Sequence, residues 1–372
     1  MNLFRAAQGH GPDWRTARRS CLEQLRGLPA GANLGFVYAS DPLAESLDLI
    51  ARDLAEATGI QDWVGTGGAG VCASGQEHFH QGAVVVLVAA LPAASYRVLD
   101  GLRADPDEAG PAAAAWSGIE EVGFGVVHGD PRQPRTPNAI ARLSEQSGAF
   151  LVGGLSSSGG SAIQIAGRPT EGGISGVLLD ASVEVVTGLS QGCTPIGPVH
   201  EVSAAQGPWI VGLDGRPALD VLKAEIGEVL ARQLDRLGSY IHAAIPILGS
   251  DRADYMVRNL LGVHPERGMV AVGEELRRGA PLMFVKRDAA SARADLERLL
   301  EDLTDRAAGR PIRGALYHTC VARGPHMFGP DSAELRTIER ALGPVPLAGF
   351  FTNGEIFHDR LYGYTGVLTL FL

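Results

Sequence analysis

The C-terminal stretch, residues 313–372, decides the fold because it contains one complete unit of strands and a helix. It begins with GALYHTCVARGPHMFG (314–329), in which an apolar strand is predicted to run into a Gly/Pro loop. It continues with GPVPLAGFFTNGEIF (343–357), a second strand followed by a polar loop, and it ends with the apolar strand YTGVLTLFL (364–372). A helix is predicted between the first two segments, so the order is strand–helix–strand–strand.

The helix of this unit has its own start signal in the sequence. Asp331-x-x-Glu334 is typical of a helix N-terminus, because the first carboxylate can accept from free N–H groups and the second can reach back to the cap. Leu335 and Ile338 follow at helical spacing, and Gly343 ends the helix. Two loops therefore follow the ends of neighbouring strands, which is where binding groups usually lie.

The same pattern occurs twice more, in residues 33–91 and 122–180. Each copy carries two glycines with four residues between them after its second strand: Gly65 and Gly70, Gly154 and Gly159, Gly349 and Gly354. The connection after each helix is too short for a second crossover helix, so the sheets should be mixed and partly antiparallel. The sequence predicts an α/β (α+β) fold of two related halves, with mixed sheets packed together and helices outside.

Several short motifs resemble the FIST family. In the C-terminal unit these are CVARG (320–324), PLAGFF (346–351) and NGE (353–355), and upstream they are GCTPIGP (192–198) and YMVRNLLG (255–262). The resemblance implies a sensory, small-ligand-binding module of bacterial signalling, for which amino-acid-like ligands have been proposed, and it implies no reaction. With a linker placed at 192–198, we expect an N-terminal helical arm (1–32), a FIST N-like domain (33–193) and a FIST C-like domain (194–372).

Composition narrows the classes of function. The chain has 372 residues, is 45% hydrophobic and carries a formal net charge of −10, which argues against a nucleic-acid partner and against an anionic membrane surface. Four scattered cysteines form neither a disulfide framework nor a zinc module. The N-terminus has no apolar signal core, and the longest apolar run, 83–91, is too short to span a bilayer. We therefore expect a cytoplasmic protein.

Two motifs in the first copy are weak candidates for a site. The loop from Gly65 to Gly70 fits G-x-G-x-x-G, but a poor helix-forming segment follows it, so a tight turn is favoured over dinucleotide binding. Cys72, His78 and His80 offer at most three metal donors, and an ordinary exposed loop is favoured over a metal site. The sequence predicts neither a metal nor a cofactor.

Stronger candidates lie in the C-terminal unit. His318 and Cys320 are two apart on a predicted strand, so they share a face, and an imidazole beside a thiol can activate it. A reactive thiol, a ligand-contacting thiol and a core residue all remain open for Cys320. Arg323 and Glu355 follow strand ends and could grip the carboxylate and the ammonium group of a zwitterion, or could pair with each other structurally.

The function predicted from these residues is sensing of a small polar metabolite, reported to a signalling partner protein. The predicted ligand-binding residues are Cys320, Arg323, Gly324, Asn353, Gly354, Glu355, Arg258, Gly65 and Gly70. One alternative is a thiol-dependent enzyme that uses Cys320 with His318, and another is a protein-interaction scaffold.

Overall fold

The protein was analysed as a computed structural model that describes residues 3–102, 121–231, 238, 240–247 and 254–372. The chain forms two compact units: unit 1 combines Met1–Gln191 with Arg293–Leu372, and unit 2 is Gly192–Ala292. The domain boundaries expected from the sequence stay a prediction. The described helices are α1 (Trp14–Gln24), α2 (Asp41–Ala44), α3 (Leu47–Thr58), α4 (Thr136–Ser147), α5 (Ala218–Ala231), α6 (Ala289–Ala307), α7 (Pro325–Phe328) and α8 (Ala333–Leu342).

Unit 1 contains three six-stranded mixed sheets. The first has the order β1 (Phe4–His10), β6 (Ala83–Ala89), β2 (Leu34–Ser40), β3 (Asp62–Gly68), β10 (Gln164–Ala166) and β11 (Arg168–Thr170). The second has the order β7 (Tyr96–Leu102), β12 (Ile174–Asp180), β8 (Val122–Gly129), β9 (Phe150–Leu155), β24 (Glu355–Phe357) and β25 (Arg360–Tyr362). The third has the order β13 (Val185–Ser190), β26 (Gly366–Phe371), β22 (Gly314–Cys320), β23 (Leu347–Thr352), β4 (Gly70–Ala73) and β5 (Gln76–Phe79).

One arrangement is repeated in all three sheets, and it confirms the predicted repeat and the mixed α/β class. We name the copies A (34–89), B (122–180) and C (314–371). In each copy the first two strands are parallel, as in β2–β3, β8–β9 and β22–β23. The closing strand of each copy returns antiparallel to the first, as in β6–β2, β12–β8 and β26–β22.

The copies exchange hairpins in a cycle. The hairpin β4–β5 of copy A pairs with β23 of copy C, the hairpin β24–β25 of copy C pairs with β9 of copy B, and the hairpin β10–β11 of copy B pairs with β3 of copy A. Every sheet of unit 1 therefore contains strands from two copies. No copy completes its own sheet.

Close backbone packing explains one glycine in each copy. A Cβ on Gly65, Gly153 or Gly349 would lie 1.7, 1.9 or 1.8 Å from a carbonyl oxygen of the neighbouring parallel strand. In copy B this position is Gly153, one residue before the predicted Gly154. The predicted Gly159 also differs from Gly70 and Gly354, because the copy B loop is longer and its hairpin joins the ladder only at Gln164.

Helix α1 was predicted correctly, but strand β1 was not. Asp13 caps α1 by accepting from the Thr16 N–H at 3.0 Å, and Cys21 is buried on the inner face. The preceding residues form β1, which pairs antiparallel with β6 along its whole length. Since these residues extend a sheet of unit 1, the segment 1–32 is more than a helical arm.

Unit 2 is built from one antiparallel sheet that closes on itself. Its strands are β14 (Cys193–Pro195), β15 (His200–Gln206), β16 (Trp209–Leu213), β17 (Arg216–Pro217), β18 (Ile241–Pro246), β19 (Tyr255–His264), β20 (Met269–Val272) and β21 (Pro281–Arg287). Closure arises because β21 pairs with both β15 and β18. Strands β19 and β20 form a hairpin. Leu219 and Leu222 of α5 share the core inside this sheet.

A histidine clasp joins three parts of unit 2. The Nδ1 atom of His200 lies 2.5 Å from a carboxylate oxygen of Asp214, and its Nε2 atom lies 2.6 Å from one of Glu225 in α5. Burial alone would lower the pKa of His200, but the two hydrogen bonds outweigh burial and raise that pKa above its ordinary value. A protonated imidazole can donate to both carboxylates at once.

Stability should follow the protonation of this clasp. The pKa of His200 is about 6.5 in the unfolded chain and higher in the folded protein, so the stabilisation is complete below about pH 6.5 and is lost as the pH rises through the folded value. We expect the melting-temperature difference between wild type and His200→Asn to be largest at pH 6 and to shrink towards pH 9. A difference that does not change over this range would contradict the assignment.

Candidate functional site

The predicted residues Arg323 and Glu355 lie in the interior of unit 1, each with its own partners. Arg323 is fully buried, with its Nη2 atom 2.7 Å from Oε1 of Glu334 and 2.9 Å from the Ser190 hydroxyl. Tyr317 donates its hydroxyl to the same Glu334 oxygen at 2.6 Å. The expected converging pair on a cleft rim is therefore replaced by an internal brace between Arg323 and Glu334, because full burial forces a guanidinium to find a carboxylate.

Glu355 is also fully buried, and threonines bind its carboxylate. Thr365 donates its backbone N–H at 3.1 Å and its hydroxyl at 2.7 Å, and Thr352 donates a further hydroxyl. Burial raises the pKa of Glu355 to about 7, although these hydrogen bonds and the charge of Arg323 act in the opposite direction. The side chain is not presented to solvent, and we assign it a structural role.

Cys320 and His318 do not form an activated pair. Cys320 is buried, and burial followed by the charge of Glu355 raises the pKa of its thiol far above the ordinary value. Burial lowers the pKa of His318 to about 3, so the imidazole is neutral and supplies no charge to stabilise a thiolate. The geometry therefore gives the thiol-enzyme alternative no support.

The remaining predicted residues shape the backbone or lie elsewhere. The Gly324 N–H donates to Glu334 at 3.1 Å, and the Gly354 carbonyl accepts from the Leu155 N–H at 2.9 Å. Asn353 is exposed on the neighbouring turn. In unit 2, Arg258 pairs with Glu274 at 2.5 Å. Gly65 lies in strand β3 and Gly70 begins β4, so neither forms a phosphate-binding loop that opens a helix.

The segment with Cys72 and His78 is a hairpin and not the exposed loop that the sequence favoured. Cys72 is fully buried in β4, and its Sγ atom lies 3.8 Å from the Tyr317 carbonyl oxygen. His78 in β5 is held between the side chains of Gln8 at 2.7 Å and Gln81 at 2.9 Å. These contacts give both side chains packing roles.

The three copies meet at a central cluster of Tyr38, His128 and His318, one residue from each copy, all without solvent exposure. The Tyr38 hydroxyl lies 3.2 Å from Nε2 of His128 and 3.2 Å from Nε2 of His318. The three residues are equivalent, since each directly follows the residue that pairs with the close-packed glycine of its copy: Val37 with Gly65, Val127 with Gly153, Tyr317 with Gly349. Sequence analysis singled out only His318 of this cluster.

An open cavity lies in copy B, at the carboxyl end of the parallel strands. Its volume is about 580 Å³. The lining residues come from the β8–α4 loop, the first turns of α4 and the turn before β12: Asp130, Arg132, Gln133, Pro134, Arg135, Thr136, Ala139, Glu171, Gly172 and Gly173. We call this the copy B cavity. Ligands of open α/β sheets bind at this end of the strands.

Asp130 fixes the wall of the copy B cavity. Its buried carboxylate accepts two hydrogen bonds from the Arg132 guanidinium, at 2.9 and 3.0 Å, and one from the Arg132 N–H. The Asp130 carbonyl accepts from the Thr136 hydroxyl at 2.9 Å, and its N–H donates to the Gly173 carbonyl at 3.1 Å. The guanidinium of Arg132 is therefore held in place at the cavity, with more than half of its side chain exposed.

Equivalent positions in the other two copies are occupied by the protein itself. In copy A, Asp41 accepts from the Ser158 hydroxyl at 2.6 Å and from the Gly159 N–H at 2.9 Å, so a loop of copy B covers this end. In copy C, the buried side chains of Arg323 and Glu334 occupy the equivalent position. A second cavity of about 660 Å³ in copy C lies further out, between α6 and α8. None of the predicted binding residues lines either cavity.

The sequence contains a signal for the copy B cavity in HGDPRQPRTP (128–137), where no site was predicted. An acidic residue ends a strand there, and two arginines follow before a proline-started helix. Such charged groups between a strand and a helix are typical of a binding loop.

Comparison with known proteins assigns the family. A FIST N domain matches residues 33–216, and a FIST C domain matches residues 218–358. The chain belongs to the FIST family. FIST domains are generally sensory domains of signal-transduction proteins.

Curated relatives of this FIST protein are known in mycobacteria. An uncharacterized protein of Mycobacterium tuberculosis is 38% identical over 213 residues, which is 54% of each chain. An uncharacterized protein of Mycobacterium bovis is 39% identical over 193 residues, which is 50% of each chain. The chain thus spans about half the length of the curated relatives it matches. Within the described ranges, no helix combines the length and the apolar character that crossing a membrane requires.

Proposed function

We propose that this FIST protein senses a small, polar, amino-acid-like ligand in the copy B cavity and reports it to a signalling partner protein. The observation that carries the proposal is the position and lining of that cavity. It opens at the carboxyl end of β8, whereas the corresponding end of copy A is covered by a loop of copy B and that of copy C is filled by Arg323 and Glu334. Its volume of about 580 Å³ falls within the usual range for small-molecule sites.

Charges on the cavity wall fit a zwitterion. Arg132 is already oriented by Asp130, so little conformational entropy is lost when it binds a carboxylate. Arg135 has an exposed guanidinium with no partner among the described residues, and Glu171 supplies a negative group for an ammonium. An arginine can bind a carboxylate through two parallel hydrogen bonds, which favours a carboxylate ligand.

Binding can be tested with a panel of free amino acids and small dicarboxylates. A ligand at a hundredfold excess over its dissociation constant should stabilise the protein by about 2.7 kcal/mol, which a thermal-shift assay detects. For a compound that stabilises the protein, we expect Arg135→Ala to weaken binding by at least about tenfold, since a hydrogen bond to a charged group contributes about 1.5–3 kcal/mol. Calorimetric titration measures the change.

Arg52→Ala is the matched control, because Arg52 is exposed on α3 and lies outside the lining of the copy B cavity. It should bind the compound as wild type does. The proposal fails if no member of the panel stabilises the protein. It also fails if Arg135→Ala and Arg52→Ala bind with the same affinity.

A further inference from the structure

The number of hydrogens on the three side chains limits the hydrogen bonds that the central cluster can form. Tyr38 has one hydroxyl hydrogen, and its oxygen lies at the same distance, 3.2 Å, from Nε2 of His128 and from Nε2 of His318. It can donate to only one of them, so it must accept from the other. The accepting histidine has its proton on Nδ1, and the donating histidine has its proton on Nε2. The two rings therefore carry opposite tautomers.

The surroundings keep all three groups neutral. Burial holds the pKa of His128 well below its ordinary value, with His318 adding to the effect, and burial likewise lowers the pKa of His318. Burial raises the pKa of the Tyr38 phenol, so the hydroxyl keeps its hydrogen. Phe350 stacks on the Tyr38 ring at 4.9 Å and also lies beside both imidazoles. The neutral phenol and the two neutral imidazoles therefore carry three exchangeable protons in total.

Two arrangements of these protons satisfy the same geometry. In one, His128 donates to Tyr38 and Tyr38 donates to His318; in the other, both bonds are reversed. We propose that Tyr38, His128 and His318 form a reversible hydrogen-bond chain that links the three copies and changes direction by passing one proton along its length. The proposal concerns the ligand-free protein and goes beyond the proposed ligand site.

The two remaining ring nitrogens are the ends of this chain. Nδ1 of His128 and Nδ1 of His318 are both buried and have no hydrogen-bond partner among the described residues. Because both atoms are buried, reversal requires an opening of the surrounding packing that lets water deliver a proton to Nδ1 of the donating histidine. The Nε2 proton of that ring then moves to the Tyr38 oxygen, and the Tyr38 proton moves to Nε2 of the other ring. The second ring releases its Nδ1 proton to water, so three protons are held before and after.

A small displacement of one strand should choose the direction. A phenol is a better hydrogen-bond donor than a neutral imidazole, so Tyr38 should donate to whichever Nε2 atom lies nearer. His128 is on β8, the strand that Asp130 directly follows, and His318 is on β22. A shift of β8 in copy B therefore changes the tautomer of a histidine in copy C. A displacement of β8 that is too small to alter the fold would therefore change the positions of the protons in the hydrogen-bond chain.

The chain can be tested by nitrogen NMR of the labelled full-length protein, because ring-nitrogen shifts distinguish the two neutral tautomers. We expect opposite tautomers at His128 and His318, with both directions populated and the minor one at about 1–10%. Asp130→Asn weakens the Arg132 contacts at the end of β8 and should change the two populations together and in opposite senses. Tyr38→Phe should abolish this correlation.

Tyr96→Phe is the matched control, since it removes a hydroxyl bound to Asp62 and should leave both histidines as in wild type. The proposal is overturned if both rings show the same tautomer, or if either is an imidazolium. It is also overturned if one direction holds above about 99% in wild type and in Asp130→Asn alike. This last comparison decides the question even if Tyr38→Phe does not fold.

Discussion

Replacing Arg323 by alanine is expected to lower the free energy of unfolding by about 3–5 kcal/mol. The guanidinium is fully buried against Glu334, whose carboxylate also accepts from Tyr317 and from the Gly324 N–H. Removing the cation leaves a carboxylate without its counter-charge in the interior. Urea unfolding at pH 7 measures the loss. If the side chain were instead a ligand contact on a cleft, the variant would unfold like wild type.

Two further variants make this result specific. Arg323→Met combined with Glu334→Gln removes both charges, while the amide oxygen can still accept from Tyr317, so more than half of the lost stability should return. Arg168→Ala is the control, because Arg168 and Asp100 form an exposed pair at 2.5 Å and its loss should cost less than about 1 kcal/mol. A double variant as unstable as Arg323→Ala would show that charge balance is not the cause.

Gly349→Ala should destabilise the protein at least as much as Arg323→Ala. We expect it to lower the free energy of unfolding by about 3 kcal/mol or more. The new Cβ would lie 1.8 Å from the Tyr317 carbonyl oxygen, which belongs to the paired strand backbone and cannot turn away. The parallel strands β22 and β23 would have to separate. Since Gly65 occupies the same position in copy A, Gly65→Ala should behave alike. Both are checked by urea unfolding.

Gly159→Ala provides the contrast. Sequence analysis grouped Gly159 with these glycines, but the nearest atom to an added Cβ there is an Asp41 carboxylate oxygen at 3.7 Å. The change should alter stability by less than about 0.5 kcal/mol. Equal losses for Gly159→Ala and Gly349→Ala would mean that the close approach between parallel strands does not explain the glycines.

Local signals in the sequence were enough to predict the repeated unit. Gly59 and Gly148, which end α3 and α4, are left-handed caps of the kind that glycine favours, and Thr136 and Pro137 begin α4. The hairpin exchange could not be predicted, because β4 pairs with a strand more than 270 residues away, and short polar hairpins carry no signal for a distant partner. Strand β1 was missed because its sequence, FRAAQGH, contains no run of apolar residues typical of a buried strand.

The site was harder to predict than the fold, because a charged residue after a strand can point outward or inward. Glu334 fits a capping signal, yet the structure turns it inward to Arg323, and Ser332 takes the cap position without a side-chain hydrogen bond to the helix. Arg132 and Arg135 follow a strand in the same way and do line a cavity. Only the three-dimensional comparison of the copies shows which loop is left open.

The cyclic hairpin exchange has a consequence for synthesis on the ribosome. Strand β9 of copy B pairs with β24 and hairpin strand β4 of copy A pairs with β23, so both wait for strands of copy C that are synthesised after them. Domains generally fold during synthesis in order from the N-terminus. Here the continuous segment Gly192–Ala292 can fold while the earlier copies still wait for their partners. The nascent chain is thus expected to mature from its middle outward, and the first copies to emerge depend longest on protection from aggregation.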